Sequence, residues 1–184
     1  EGLVDFALLS ADPVGELAAA RARGLVTLQG PVPGERTRPD GQHVRWTTAR
    51  HDTGDVPFLC GDITPRNLRV PDDAALMQHA NGATGVALIT VAVQDLDVTL
   101  ARWQALLGPD FALPAISDDA ALGIRSVRIA LGGFDVVLQG LTSEHSNITL
   151  AKHLALRGEG AFEVVLRGTT AKWVSPAAEH GFRS

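Results

Sequence analysis

The chain has 184 residues, 45% of them hydrophobic and 20% charged, a balance that suits one soluble globular domain able to bury roughly 70% of its unfolded surface. A formal net charge of −5 and a pI near 5.6 argue against a nucleic-acid or anionic-membrane surface, because both depend on clustered basic charge. The single cysteine, Cys60, excludes an intrachain disulfide and a cysteine-rich zinc site, and without a signal-like segment or an apolar run of roughly 18 residues the cytoplasm is the expected compartment.

The chain opens on Glu1-Gly2 without an initiator methionine and runs almost at once into a strand, as expected of a piece of a longer protein. Asp5 to Ser10 (DFALLS) reads as that strand, Asp12 as a helix N-cap with Pro13 at the first helical position, and Glu16 to Arg23 (ELAAARAR) as the helix, closed by Gly24. Leu25 to Leu28 is a second strand. Residues 30–41 then read as a loop, since Pro31, Pro33 and the Pro39-Asp40-Gly41 turn fix its bends. His43 to Thr47 alternates as a half-buried strand with Arg45 and Trp46 on opposite faces, and Val56 to Cys60 is the next strand. Asp72 or Asp73 then caps a short helix reaching Met77, and His79 to Gly82 turns the chain.

The opening phrase now repeats. Val86 to Val93 is a β-branched strand, Asp95 caps a helix, and Leu96, Leu100, Trp103, Leu106 and Leu107 place one apolar stripe on it before Gly108-Pro109 stops it. Strand-like segments follow again, with a short strand starting at Phe111 to Pro114, then Ile124 to Leu131, and Phe134 to Leu138 after the Gly132-Gly133 turn. Asn147 to Leu156 is a short helix, and Ala161 to Leu166 is a strand that no helix follows. The expected division is residues 1–62 as a first β-α-β-β-β module, 63–84 as a linker, 85–142 as a second module, and 143–184 as a C-terminal helix with a partial third module. The fold class is α+β, with paired modules forming a curved mixed sheet around a cleft and helices on the outside.

Two β-α-β-β-β modules, together with GPVPGERTRPDGQHVRW at 30–46, VPFL at 56–59 and HANGATGVALITVAVQDLD at 79–97, resemble bacterial glyoxalase-like domain proteins of the vicinal oxygen chelate superfamily, which includes glyoxalases, bleomycin-resistance proteins and dioxygenases. LRGEGAFEVVL at 156–166 and VSPAAEHG at 174–181 are similar to segments that close such domains. The resemblance implies a divalent metal (zinc, nickel, iron or manganese) held by imidazole and carboxylate so that adjacent substrate oxygens are polarised. Matched to this sequence, the histidine position of the second module falls on Leu88 and the glutamate position near Val136; the first module offers Asp5 and Cys60, and the late strand Glu163. The usual ligands are thus missing, and Asp5, Cys60 and Glu163 are the weak metal candidates. The resemblance also allows a homodimer, because members of the superfamily build their clefts across subunits.

Other chemistry is not encoded in a motif. There is no H-E-x-x-H, no G-x-S-x-G and no Walker spacing, and His51, His145, His153 and His180 form no ligand pattern. What stands out is the arginine-bearing loop: Arg36, Arg38 and Arg45 suit a carboxylate or phosphate, while Trp46 and Phe58 suit an apolar wall. The expected function is a glyoxalase-like domain that binds a small organic anion in its cleft. A metal-dependent lyase, isomerase or dioxygenase, and a dimerisation domain, are the alternatives.

Overall fold

The computed structural model describes residues 3–142, 147–168 and 172–174. It is an α+β fold of two mixed sheets with helices packed against them. The first sheet comes from β1 (Ala7–Leu9), α1 (Pro13–Ala22), β2 (Leu28–Thr37), β3 (His43–His51) and β4 (Phe58–Asp62), with strand order β1-β4-β3-β2. After the short α2 (Arg66–Arg69), the same path is taken by β5 (Gly85–Ala92), α3 (Leu96–Leu107), β6 (Ser117–Asp119), β7 (Ile124–Ala130) and β8 (Asp135–Leu141), in the order β5-β8-β7-β6. In both, the first strand lies parallel to the last and the other pairs are antiparallel. The chain then adds α4 (Ile148–Arg157), β9 (Gly160–Arg167) and β10 (Lys172–Val174); β9 pairs antiparallel with the free edge of β5, so the second sheet has six strands.

The two long helices start where their caps are. The Asp12 carboxylate accepts from the Gly15 amide at 3.0 Å, with Pro13 in the first turn, and Asp95 accepts from the amides of Asp97 and Val98, each at 3.0 Å. Each such bond satisfies an amide that has no partner within the helix. The stripe on α3 buries Leu96, Leu100 and Trp103 against Val91, Val93, Val127, Ile129, Val136 and Leu138 of the second sheet. Helix α1 sets Leu17 and Ala20 on Leu28, Ala49 and Leu59 of the first sheet, and Leu106 of α3 joins that cluster. The units therefore meet through these helices and through Val56, which joins the α3 cluster with Leu3 and Phe6 packed against it. Arg23 strengthens the seam by donating to the carbonyls of Ala105 (2.7 Å) and Leu106 (3.1 Å), a cation at the negative end of α3.

Several elements depart from the expectation. Residues 30–37 are strand rather than loop; β2 is an edge strand, where Pro31 and Pro33 cost no ladder hydrogen bond, and the register shifts between Gln29 and Val32. The helix expected after Asp72 or Asp73 is only turns, although Asp73 accepts from the Ala75 amide at 2.9 Å. Phe111 to Pro114 is not strand; β6 begins later, at Ser117.

Gly54 lies tight against the turn before β9. A Cβ on Gly54 would run into the Glu159 carbonyl oxygen and sit 3.0 Å from Gly160 Cα, backbone atoms that cannot turn aside. Gly54→Ala is therefore expected to cost about 1–3 kcal/mol, as overpacking does, measured as a fall in the urea midpoint without a change in slope.

Candidate functional site

The far end of β2 faces α2 and forms a pocket of about 240 Å³ lined by Arg36, Arg38, Pro39, Leu68, Arg69 and Pro71 with Thr37. Arg38 is tied down, donating from Nη1 to the Leu68 carbonyl at 3.0 Å with Nη2 at 3.3 Å from the Asp40 carboxylate. Arg69 donates to both Asp62 oxygens, one of them from Nη2 at 3.0 Å, and Arg66 reaches the same carboxylate at 3.1 Å. The Arg69 hydrogen bond, joined by that from Arg66, holds the Asp62 carboxyl below its ordinary 3.8. Two arginines thus share one carboxylate. Arg36 has no carboxylate within salt-bridge reach among the described residues, and its Nη2 touches only the Arg69 carbonyl at 3.4 Å.

The five residues expected at a ligand cleft separate. Arg36 and Arg38 share this pocket. Trp46 is on the Arg36 face of the sheet, since Trp46 opposes Gly34 where Val44 opposes Arg36, but its indole fills the space where a Gly34 side chain would be. Arg45, opposite Glu35, is on the other face, and its amide donates to Thr64 Oγ1 at 3.0 Å. Phe58 lies under the Arg50 guanidinium, 4.3 Å from ring centroid to Cζ.

The weak metal candidates do not form a metal-holding group. Asp5 is 3.7 Å from Arg50 and accepts from the Phe6 amide at 2.8 Å; burial raises its carboxyl above its ordinary 3.8 against these two influences. Cys60 is buried on β4 across from Leu9, in the first sheet, whereas Glu163 is on β9 across from Thr90, in the second. Among the described residues no three His, Cys, Asp or Glu side chains stand where they would hold a metal ion. The two positions matched to the usual ligands are also on opposite faces: Val136 opposes Ile89 and is fully buried toward α3, while half-buried Leu88 opposes Asp135. Val136 is therefore one residue out of phase as a counterpart of Leu88. The donors among the described residues do not fit the metal that the superfamily implies, and no chemical step is assigned to one. His145 and His180 lie outside the described residues.

A polar junction that no sequence motif marks joins the units. Asp55, with no exposed surface, accepts from Thr53 Oγ1, from Thr99 Oγ1 at 2.9 Å and from Arg102 Nη1 at 2.7 Å, while its carbonyl accepts from the Trp103 indole at 2.9 Å. Burial pushes the Asp55 carboxyl up, but hydrogen bonds from Thr53, Arg102 and Thr99 outweigh it and hold the carboxyl below 3.8. His51 joins through Nδ1 to Thr53 and through Nε2 to Thr27. Burial lowers the His51 imidazole from 6.5, with Asp55 opposing. The available signal was polar Thr99 and Arg102 beside Trp103 on the apolar side of α3.

Two units of strand order β1-β4-β3-β2 and β5-β8-β7-β6, each with its first and last strands parallel, define a vicinal oxygen chelate fold. More particularly, the chain belongs to the glyoxalase-like domain family, whose sequence profile matches residues 1–107. Among solved structures, a variant of 4-hydroxymandelate synthase from Streptomyces coelicolor is 16% identical over 87% of this chain and 47% of that one, with a TM-score of 0.54. A hypothetical protein from Staphylococcus aureus is 14% identical over 77% of this chain and 54% of its own, at 0.50. Methylmalonyl-CoA epimerase from Mycobacterium tuberculosis is 28% identical over 52% of this chain, with a TM-score of 0.41, and the chain spans 63% of its length. No curated protein matches.

Asp55→Ala leaves Arg102 and Thr99 facing an empty site and is expected to cost about 3 kcal/mol. Because the folded carboxyl titrates below 3.8, the stabilisation is complete above that pH and disappears as pH falls through the lower folded value. Urea midpoints measured at a series of pH values should show a shallower acid limb in the variant than in the wild type.

Proposed function

We propose that this glyoxalase-like domain binds a small organic anion, a carboxylate or phosphate ester, in the pocket between β2 and α2. The observation that carries this reading is Arg36, a guanidinium that meets a backbone carbonyl but no carboxylate within salt-bridge reach among the described residues, on a pocket that Arg38 and Arg69 also line. Arg38, Arg66 and Arg69 divide Asp40 and Asp62 between them, so the four cations exceed the two anions and an added anion brings the group nearer to balance. Planar guanidinium forks suit two oxygens at once, and Pro39, Leu68 and Pro71 supply an apolar wall for the ligand's carbon skeleton. The hydrogen bonds that tie Arg38 to Leu68 and Arg69 to Asp62 hold two of the lining guanidinium groups in place before a ligand arrives. Binding, orientation and charge neutralisation are the roles this reading gives the chain.

The test is calorimetric titration of the whole chain at low salt with succinate, phosphoenolpyruvate and inorganic phosphate. At least one organic anion is expected to bind, Arg36→Gln is expected to weaken it about tenfold, near 1.4 kcal/mol, and Arg45→Ala should leave it unchanged. Wild-type affinity in an Arg36→Gln, Arg38→Gln double variant would contradict the reading.

A further inference from the structure

Helix α4 turns Leu150, His153, Leu154 and Arg157 to one side, the spacing of a core-facing helix. Leu150 packs with Ala92, Ile124 and Phe162, and Leu154 lies against the same cluster. His153 occupies a position where leucine would serve. It is 2% exposed, and its ring meets Phe162 edge-on, with centroids 5.1 Å apart. Neither ring nitrogen has a hydrogen-bond partner among the described residues. Buried polar atoms are normally paired, so two orphaned nitrogens on one side chain need an explanation that packing does not supply.

His153 is among the residues lining a pocket of about 210 Å³, with Leu3, Val4, Arg157, Glu159 and Ala161. This pocket is separate from the arginine pocket at β2 and shares no residue with it. Its chemistry divides cleanly. Leu3, Val4 and Ala161 are apolar, and Arg157 and Glu159 are the two charged residues of the lining. Glu159 is engaged inside the protein: Oε1 accepts from the Gln94 amide at 2.8 Å and Oε2 lies 4.0 Å from Arg102. Burial, with the Arg157 charge, lowers the imidazole from 6.5, so at neutral pH the ring is uncharged and carries one N–H donor.

We propose that this pocket is a second ligand site, one that takes a short aliphatic monocarboxylate. The carboxylate accepts the His153 N–H and sits in the field of Arg157, while its alkyl chain covers Leu3, Val4 and Ala161. An anion this close favours the imidazolium, so occupation raises the His153 pKa. A histidine that merely fills the core would show no such change.

Butyrate is the probe. Titrated into the whole chain and followed through the ¹⁵N resonances of the imidazoles, it is expected to shift the His153 signals saturably and to raise their titration midpoint, with those of His51 unmoved. His153→Leu, which keeps the volume and removes the orphaned atoms, should remain folded by thermal melting and lose butyrate affinity about tenfold or more. An Arg36→Gln, Arg38→Gln double variant should keep the full His153 response, which separates this site from the one at β2. His153 signals that ignore butyrate, as they would if the nitrogens were satisfied by a trapped water, would overturn the proposal, as would wild-type butyrate affinity in His153→Leu.

Discussion

The carboxylate of Asp55 is the constraint on which the arrangement of this protein depends. It belongs to the segment between β3 and β4, yet its partners Thr99 and Arg102, and the indole that bonds its carbonyl, all belong to α3 of the other unit. A charge with no exposed surface is costly to bury unless every oxygen is satisfied, and here Thr53 supplies the remaining donor. The carboxylate therefore fixes one relative position of the two units and penalises others. Apolar contact alone would not be so particular, because Leu106 against Leu17 and Leu28 tolerates sliding in a way that a bonded carboxylate does not.

Around that junction the repeated units share a plan but not a surrounding. The free edge of β5 is covered by β9, which removes a row of unpaired backbone groups from one sheet, while β1 pairs only with β4 among the described residues. The asymmetry carries over to function. The arginine pocket uses the end of β2 and the short α2, a helix that the second unit does not repeat between its last strand and α4 among the described residues. His153 is on α4, a helix of ten residues where the first unit is followed by the four-residue α2. Both candidate sites thus use the helix that follows the last strand of a unit.

What was legible in the sequence was local. Asp12 with Pro13, and Asp95 before an apolar stripe, announce α1 and α3 because a cap and its amides are neighbours in the chain. The family could be recognised because the β-α-β-β-β order is itself a linear pattern. What was not legible depends on distant partners. Pro31 and Pro33 read as loop until β2 is known to be an edge strand. Counting along the chain brings Val136 to a ligand position, but only its pairing with Ile89 decides which face it takes. Asp55 stands between two predicted strands with nothing local to mark it, because its partners are on α3. Arg36 and Arg38 could be singled out by residue type, whereas Arg69 and Leu68, which complete their pocket, come from a helix that no periodicity marks.

Native-state hydrogen exchange on the whole chain, compared between the wild type and Asp55→Asn, tests this account most directly. If Asp55 makes the two units one cooperative structure, the slowest amides of β3 and β4 and those of β5 and β8 will open with the same free energy in the wild type and with different free energies in the variant. Equal protection of both sheets in the variant, or unequal protection already present in the wild type, would contradict it.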